Sequence, residues 1–197
     1  MTNNYLKFKR LFDLILSLIL LILLSPLIIF IVIIIFIFNG RPIFFIQKRS
    51  GFNKKHFTIF KFRTMSTNEN LSFNLRINQI GFFLRKYKID EMPQLLNILI
   101  GDMSFVGPRP LLVEYDDLYN KLQDDRFKLK PGITGISQIK VYNKNNHNWA
   151  MKINYDLIYI KKISLRFDLY IMIKTLILFI KIIFDNSTYR DSFDKFR

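Results

Sequence analysis

Residues 14–38 form the longest apolar run in the chain, with no charge and only Ser17, Ser25 and Pro26 as interruptions. As a helix these residues would reach about 37 Å, more than the roughly 30 Å hydrocarbon core of a bilayer. Pro26 lies close to the midpoint, where it removes a backbone donor and clashes with the preceding turn; Ser25 beside it can hydrogen-bond the carbonyl so released. Lys7, Lys9 and Arg10 precede the run and Arg41, Lys48 and Arg49 follow it, so both flanks carry the charge of a cytoplasmic segment. A helix kinked at Ser25-Pro26 that enters and leaves by one leaflet satisfies both flanks. A spanning signal anchor with a tolerated proline is the alternative. A cleaved leader is disfavoured, because the run is too long and no Ala-x-Ala site follows it.

Beyond this run the pattern shortens. Ile43-Phe44-Phe45-Ile46 and Phe57-Thr58-Ile59-Phe60 flank a Gly51-Phe52-Asn53 turn signal and predict a β-hairpin. Residues 66–78, rich in Asn and Ser, read as a loop. Helical patterning returns over 80–87 and 90–100, whereas 101–110, punctuated by Gly, Pro and Asp, reads as irregular. A helix over 111–125, a turn at Pro131-Gly132, an extended piece over 136–142 and an Asn-rich loop over 143–148 follow. Residues 165–184 are again apolar, but Lys174 and Lys181 share one stripe. That suits a helix in the membrane interface with lysines reaching toward phosphates, or a core helix with two edge lysines.

Composition narrows the chemistry. The 197 residues carry 30 Lys and Arg against 15 Asp and Glu, a formal charge of +15, while half of them are hydrophobic. A soluble nucleic-acid binder rarely combines the two, so anionic lipid or a phosphate-bearing substrate is the better match for the charge; a membrane-tethered nucleic-acid binder rests on charge alone. The absence of cysteine excludes disulfides, thiolate metal sites and a cysteine nucleophile. His56 and His147 are the only histidines, so a metal ion would be held by carboxylates.

Asp90-Glu91 directly precedes Met92-Pro93-Gln94, where the proline marks a helix start. The helix dipole and the nearby Arg85, Lys86 and Lys88 should favour ionised carboxylates there, fit to attack phosphorus or to ligate Mg²⁺; an N-cap in a charged surface patch is the plainer reading. Arg109, between Pro108 and Pro110, sits on a stiff segment suited to bidentate phosphate contact. Lys61 and Arg63, two apart, would share one face of a strand and could grip a diphosphate, or simply guard an exposed edge.

In this order, Lys9-Arg10-Leu11-Phe12-Asp13, Ser25-Pro26, residues 47–51, Lys61-Phe62-Arg63-Thr64-Met65, Asp90-Glu91-Met92-Pro93-Gln94-Leu95, residues 101–110, Lys130-Pro131-Gly132-Ile133-Thr134-Gly135, and Asp156 with Tyr159 are similar to the motifs of the bacterial sugar transferases. More narrowly, the chain resembles the small monotopic phosphoglycosyl transferases that act on polyprenyl phosphate. The resemblance implies an α+β, predominantly helical, monotopic membrane protein with a re-entrant helix, a small β-hairpin and interfacial amphipathic helices. Residues 1–40 would form the membrane hairpin, 41–185 a cytoplasmic catalytic domain embedded in the interface, and 186–197 a flexible tail.

It also implies transfer of a sugar 1-phosphate from a UDP-sugar to undecaprenyl phosphate with release of UMP, at the inner membrane, early in glycan assembly. Asp90 would be the nucleophile and a Mg²⁺ ligand, and Glu91 would assist. Lys61, Arg63, Arg109 and Lys130 would bind phosphate, with Gln138 and Asp168 as further candidates for substrate contact. Anionic lipids, downstream glycosyltransferases or a second copy would be partners; nucleic acid would not. An inactive relative that holds UDP-sugar or polyprenyl phosphate as a scaffold is the alternative. The chain departs from the family pattern at Lys88-Ile89, where Ser-Leu is usual, at Lys130, where arginine is usual, and at Val141-Tyr142, where Gly-Arg is usual.

Overall fold

The computed structural model describes residues 3–68, 70, 72, 76–141 and 149–184. The long apolar run lies within one helix, α1 (Asn3–Asn39), which continues through Pro26. A proline there leaves the carbonyl of Ile22 without its usual donor, and the Ser25 hydroxyl donates to that carbonyl at 2.8 Å. One stripe of α1 is bound to the rest of the protein along its full length. Leu6 packs near Val106, Tyr159 and Ile171. Leu20, Leu21 and Leu24 meet Phe57, Leu95, Ile98 and Met103. Ile28, Ile31, Val32 and Ile35 meet Phe62 and Leu84. The opposite stripe, including Ile15, Ile22, Leu23, Ile29, Ile33 and Ile37, is exposed. Only 11% of the most apolar window of α1 is buried inside the protein, which sets it apart from the core helix of a soluble domain.

Polar clamps hold both ends of this helix. Near its start, the Tyr5 hydroxyl and the Lys9 ammonium donate to Asp168 at 2.7 and 2.5 Å, and the Tyr159 hydroxyl donates to the same buried carboxylate at 2.7 Å. Asp13 accepts from the Phe105 amide at 3.1 Å. At the far end the Arg63 guanidinium donates to the carbonyls of Asn39 and Gly40, two of the acceptors that a helix leaves unsatisfied at its C-terminus.

The expected hairpin is present as β1 (Phe44–Ser50) and β2 (His56–Phe62), antiparallel with Phe44 opposite Phe62 and Ser50 opposite His56. Asn53 and Lys54 take positive φ in the connection, where the sequence carries its Gly51-Phe52-Asn53 turn signal. Next come α2 (Gln79–Lys86), whose first turn is capped by the Asn78 side chain accepting from the Gly81 amide at 2.7 Å, and α3 (Gln94–Ile100). A 3-10 turn over Ile89–Glu91 leads into α3. Arg10 of α1 donates to the Ile98 and Leu99 carbonyls at 2.6 and 2.7 Å, closing the C-terminal end of α3.

Three stretches differ from the sequence expectation. The irregular segment and the Pro131-Gly132 turn contain β3 (Ser104–Val106) and β4 (Gly132–Thr134), which pair in parallel. The backbones approach so closely that a Cβ on Gly132 would lie 2.1 Å from the Gly107 nitrogen, so glycine is required there. The helix expected over 111–125 is two 3-10 turns, Val113–Leu118 and Gln123–Lys128. Asn120 divides them, its side chain accepting from the amides of Leu122 and Gln123 at 3.1 and 2.9 Å and so starting a new turn. The piece expected to be extended is α4 (Ile136–Val141), with Ile136, Ser137 and Val141 buried; tertiary packing overrides the β-branched pattern. α5 (Trp149–Lys162) was not anticipated, whereas α6 (Leu165–Phe184) matches its expected bounds and exposes both Lys174 and Lys181. The Asn-rich loop, Tyr142 and the tail lie outside the described residues.

Candidate active site

Asp90 and Glu91 sit on the 3-10 turn before α3, following Lys88 in a left-handed conformation and with Pro93 at the helix cap. Both carboxylates lie inward. Glu91 Oε1 accepts from Lys61 Nζ of β2 at 2.7 Å and meets Arg109 Nη2 at 3.4 Å. Burial opposes its ionisation, but Arg109, Lys61 and Lys88 outweigh burial and hold the carboxyl well below the usual range. Asp90 behaves oppositely. Burial first, then the charge of Glu91, push its pKa up against the pull of Lys61, Lys88 and Arg85. Ionisation of Asp90 is thus less favoured than the helix dipole and local cations alone would make it, because desolvation exceeds their attraction. Its Oδ1 is buried with no hydrogen-bond partner.

The sequence-derived candidates divide into two sets. Lys61, Asp90, Glu91 and Arg109 come together. Arg63 does not join them: β2 ends at Phe62, and the guanidinium turns to the end of α1 rather than sharing a face with Lys61. Lys130 stands beside Arg10 and Gly101 at the C-terminal end of α3, opposite the Asp90 end. Burial, then Arg10, lower its pKa. Asp168 is occupied by Tyr5, Lys9 and Tyr159. Gln138 donates to the Ile133 carbonyl at 2.7 Å within its own region. Ser25 and Pro26 lie on the middle of α1, where the Ser25 hydroxyl is engaged with the Ile22 carbonyl.

Sequence reasoning missed the support beneath Arg109. Arg126 Nη2 donates both to the Arg109 carbonyl at 2.7 Å and to Asp156 Oδ2 at 2.8 Å, and Nη1 donates to the Tyr119 hydroxyl at 2.8 Å. The side chains of Arg126 and Asp156 are 2% and 3% exposed. No local pattern signals this pair, since its members lie 30 residues apart; only the position of Asp156 within a family-like motif marked it.

A Mg²⁺ ion can be tested against these donors. Among the described residues no three carboxylate or imidazole groups gather, and Glu91 Oε1 is held by cations. Asp90 Oδ1 remains an uncommitted buried oxygen. Mg²⁺ commonly takes one or two carboxylates and completes its shell with water and substrate phosphate, so the residues present fit it.

A buried carboxylate with an uncommitted oxygen beside a carboxylate clamped by Lys and Arg defines a site suited to phosphate-bearing substrates, carried here on a membrane protein. Residues 4–182 match the family model for bacterial sugar transferases, and the chain belongs to that family. It is 43% identical over 172 residues to the uncharacterized sugar transferase EpsL of Bacillus subtilis, covering 85% of this chain and 84% of that protein. It is 37% identical over 181 residues to the UDP-glucose:undecaprenyl-phosphate glucose-1-phosphate transferase of Klebsiella pneumoniae, covering 85% of this chain and 39% of that enzyme. It is 33% identical over 183 residues to the UDP-N-acetylgalactosamine-undecaprenyl-phosphate N-acetylgalactosaminephosphotransferase of Aeromonas hydrophila, covering 87% of this chain and 43% of that enzyme. The chain therefore spans about two-fifths of these two enzymes and most of EpsL.

Proposed function

We propose that the protein transfers a sugar 1-phosphate from a UDP-sugar to undecaprenyl phosphate, releasing UMP, at the cytoplasmic face of the inner membrane in the first membrane step of glycan assembly. The observation that carries this reading is Asp90, buried with a free carboxylate oxygen beside the clamped Glu91. The named relatives are transferases of this type, and nothing favours a scaffold role.

Ionised Asp90 attacks the phosphorus that bears the sugar. A P–O bond forms to its carboxylate, the P–O bond between the two phosphates breaks, and UMP leaves with that oxygen. An oxygen of undecaprenyl phosphate then attacks the aspartyl phosphate; its P–O bond to Asp90 breaks and the carboxylate is restored. Lys61 and Arg109, both already at Glu91, neutralise charge on the transferring phosphate. Glu91 keeps these cations placed before substrate arrives. Mg²⁺ held by Asp90 and the diphosphate would supply Lewis-acid stabilisation of the leaving phosphate.

The membrane reading follows from α1. Its two ends and its middle are fixed to one body, so only its outer stripe is left for lipid, as expected for an anchor that does not carry its ends to opposite faces. Phe83 of α2 and Leu96 and Ile100 of α3 are exposed apolar side chains, a surface on which a polyprenyl chain would lie. Radiolabelled UDP-sugar tests the chemistry: wild-type protein should become labelled, and Asp90→Asn should not. Labelling that persists in Asp90→Asn would reassign the nucleophile.

A further inference from the structure

One stripe of α5 carries Trp149, Lys152 and Asp156, three and four residues apart. Asp156 is tied through Arg126 to the Arg109 carbonyl, so this stripe faces the segment that reaches Glu91. Lys152 and Arg49 both lie within the field of Arg109; burial first, and then that charge, lower the pKa of each. Arg49 is fixed against the segment ahead of the Val113–Leu118 turn by its bridge to Leu112, and its Nε is buried without a partner. Glu91 and Glu114 act on Arg49 in the opposite sense without offsetting burial and Arg109, so the cluster would gain from a further anion.

At the outer end of the stripe, Trp149 is 36% exposed. Its ring meets Tyr115 edge-on at 4.8 Å and lies nearly parallel to Tyr119 at 6.2 Å. The cationic cluster thus runs into an aromatic surface that is partly open to solvent, the pairing of features that binds a phosphate joined to a flat base. This inference rests on the reading of the chain as a transferase using a nucleoside-diphosphate donor.

We propose that Trp149, with Tyr115 beside it, stacks the nucleobase of the donor, while Arg109, Lys152 and Arg49 receive its diphosphate. A π-face accepts any base, so the shelf fixes the place of the base rather than its identity. Such binding acts equally on ground and transition states, so its loss raises KM and leaves kcat little changed.

Trp149 is the only tryptophan, and the emission of the full-length protein in detergent reports on that ring alone. UDP should quench it; inorganic pyrophosphate should not, but should raise the UDP concentration needed. Trp149→Leu should raise KM for the UDP-sugar about tenfold or more at an unchanged unfolding temperature, with Trp149→Phe retaining most of the affinity. Unchanged emission with UDP, or an unchanged KM in Trp149→Leu, would overturn the base site while UMP release left the transferase reading standing. A Trp149→Leu protein that loses unfolding temperature and kcat together would show a packing role and overturn it as well. Wild-type protein that is quenched by UDP yet releases no UMP would keep the base site and overturn the transferase; protein that does neither would overturn both.

Discussion

Asp156→Asn isolates the buried ion pair beneath Arg109. The pair is separated by 2.8 Å with side chains 2% and 3% exposed, so the substitution leaves the Arg126 charge buried opposite a neutral amide. Breaking such a pair by removing one partner costs about 3–5 kcal/mol, and asparagine, which still accepts a hydrogen bond, belongs at the lower end. At about 3 kcal/mol, a domain of this size should lose about 6–12 °C of unfolding temperature. Taking both charges out of water offsets much of what their attraction returns, so a joint apolar replacement should recover much of the loss. Arg126→Met with Asp156→Leu should therefore restore unfolding temperature. Activity should not follow, because the Arg109 carbonyl and the Tyr119 hydroxyl have then lost their donor. Thermal unfolding followed by circular dichroism in detergent, beside steady-state UMP release, measures both. An unshifted unfolding temperature in Asp156→Asn would refute the energetic argument, and a double variant with restored kcat/KM would refute the positioning of Arg109.

Two further outcomes are expected. The raised Asp90 pKa means that the folded state retains a proton that the unfolded state gives up, so stability falls as pH rises from the ordinary aspartate value through the raised one, and the penalty is fully present above it. Asp90→Asn should then unfold at a higher temperature than wild type at neutral pH, the gap narrowing in acid, and wild-type UMP release should decline on the acid side above the ordinary aspartate range; a less stable Asp90→Asn would contradict this. Since the chain lacks cysteine, single cysteines placed at Thr2 and at Lys55 can be labelled without background in sealed inverted vesicles. A one-sided anchor predicts modification of both by an impermeant maleimide, and protection of Thr2→Cys alone would indicate a spanning α1.

Elements governed by their own residues were legible. The 25 uncharged residues of the apolar run, the turn-flanked hairpin and α6 each carry a period strong enough to survive packing. β3 and β4 were not, because three-residue strands paired in parallel across an intervening stretch leave no local period. Within the site, Asp90, Glu91 and Arg109 were marked by the prolines around them, and Lys61 by alternation along β2. Arg63, Lys130 and Asp168 stand in equally recognisable motifs, yet Arg63 and Asp168 bond to α1 and Lys130 sits beside its Arg10. A motif can persist for the architecture that carries the site, and spacing alone does not separate that from contact with substrate.

The Tyr5–Asp168 contact joins residues 163 positions apart, which makes it an event in time as well as in space. At translation rates of about 5–20 residues per second, roughly 8–30 s separate the emergence of the first partner from that of the second. Throughout that interval α1 can already rest in lipid while Tyr5 and Lys9 still await the helix that supplies their carboxylate. The anchor is thus made well before the helix that locks it, and a nascent chain stalled before α6 would be held at the membrane with its Tyr5–Asp168 clamp unformed.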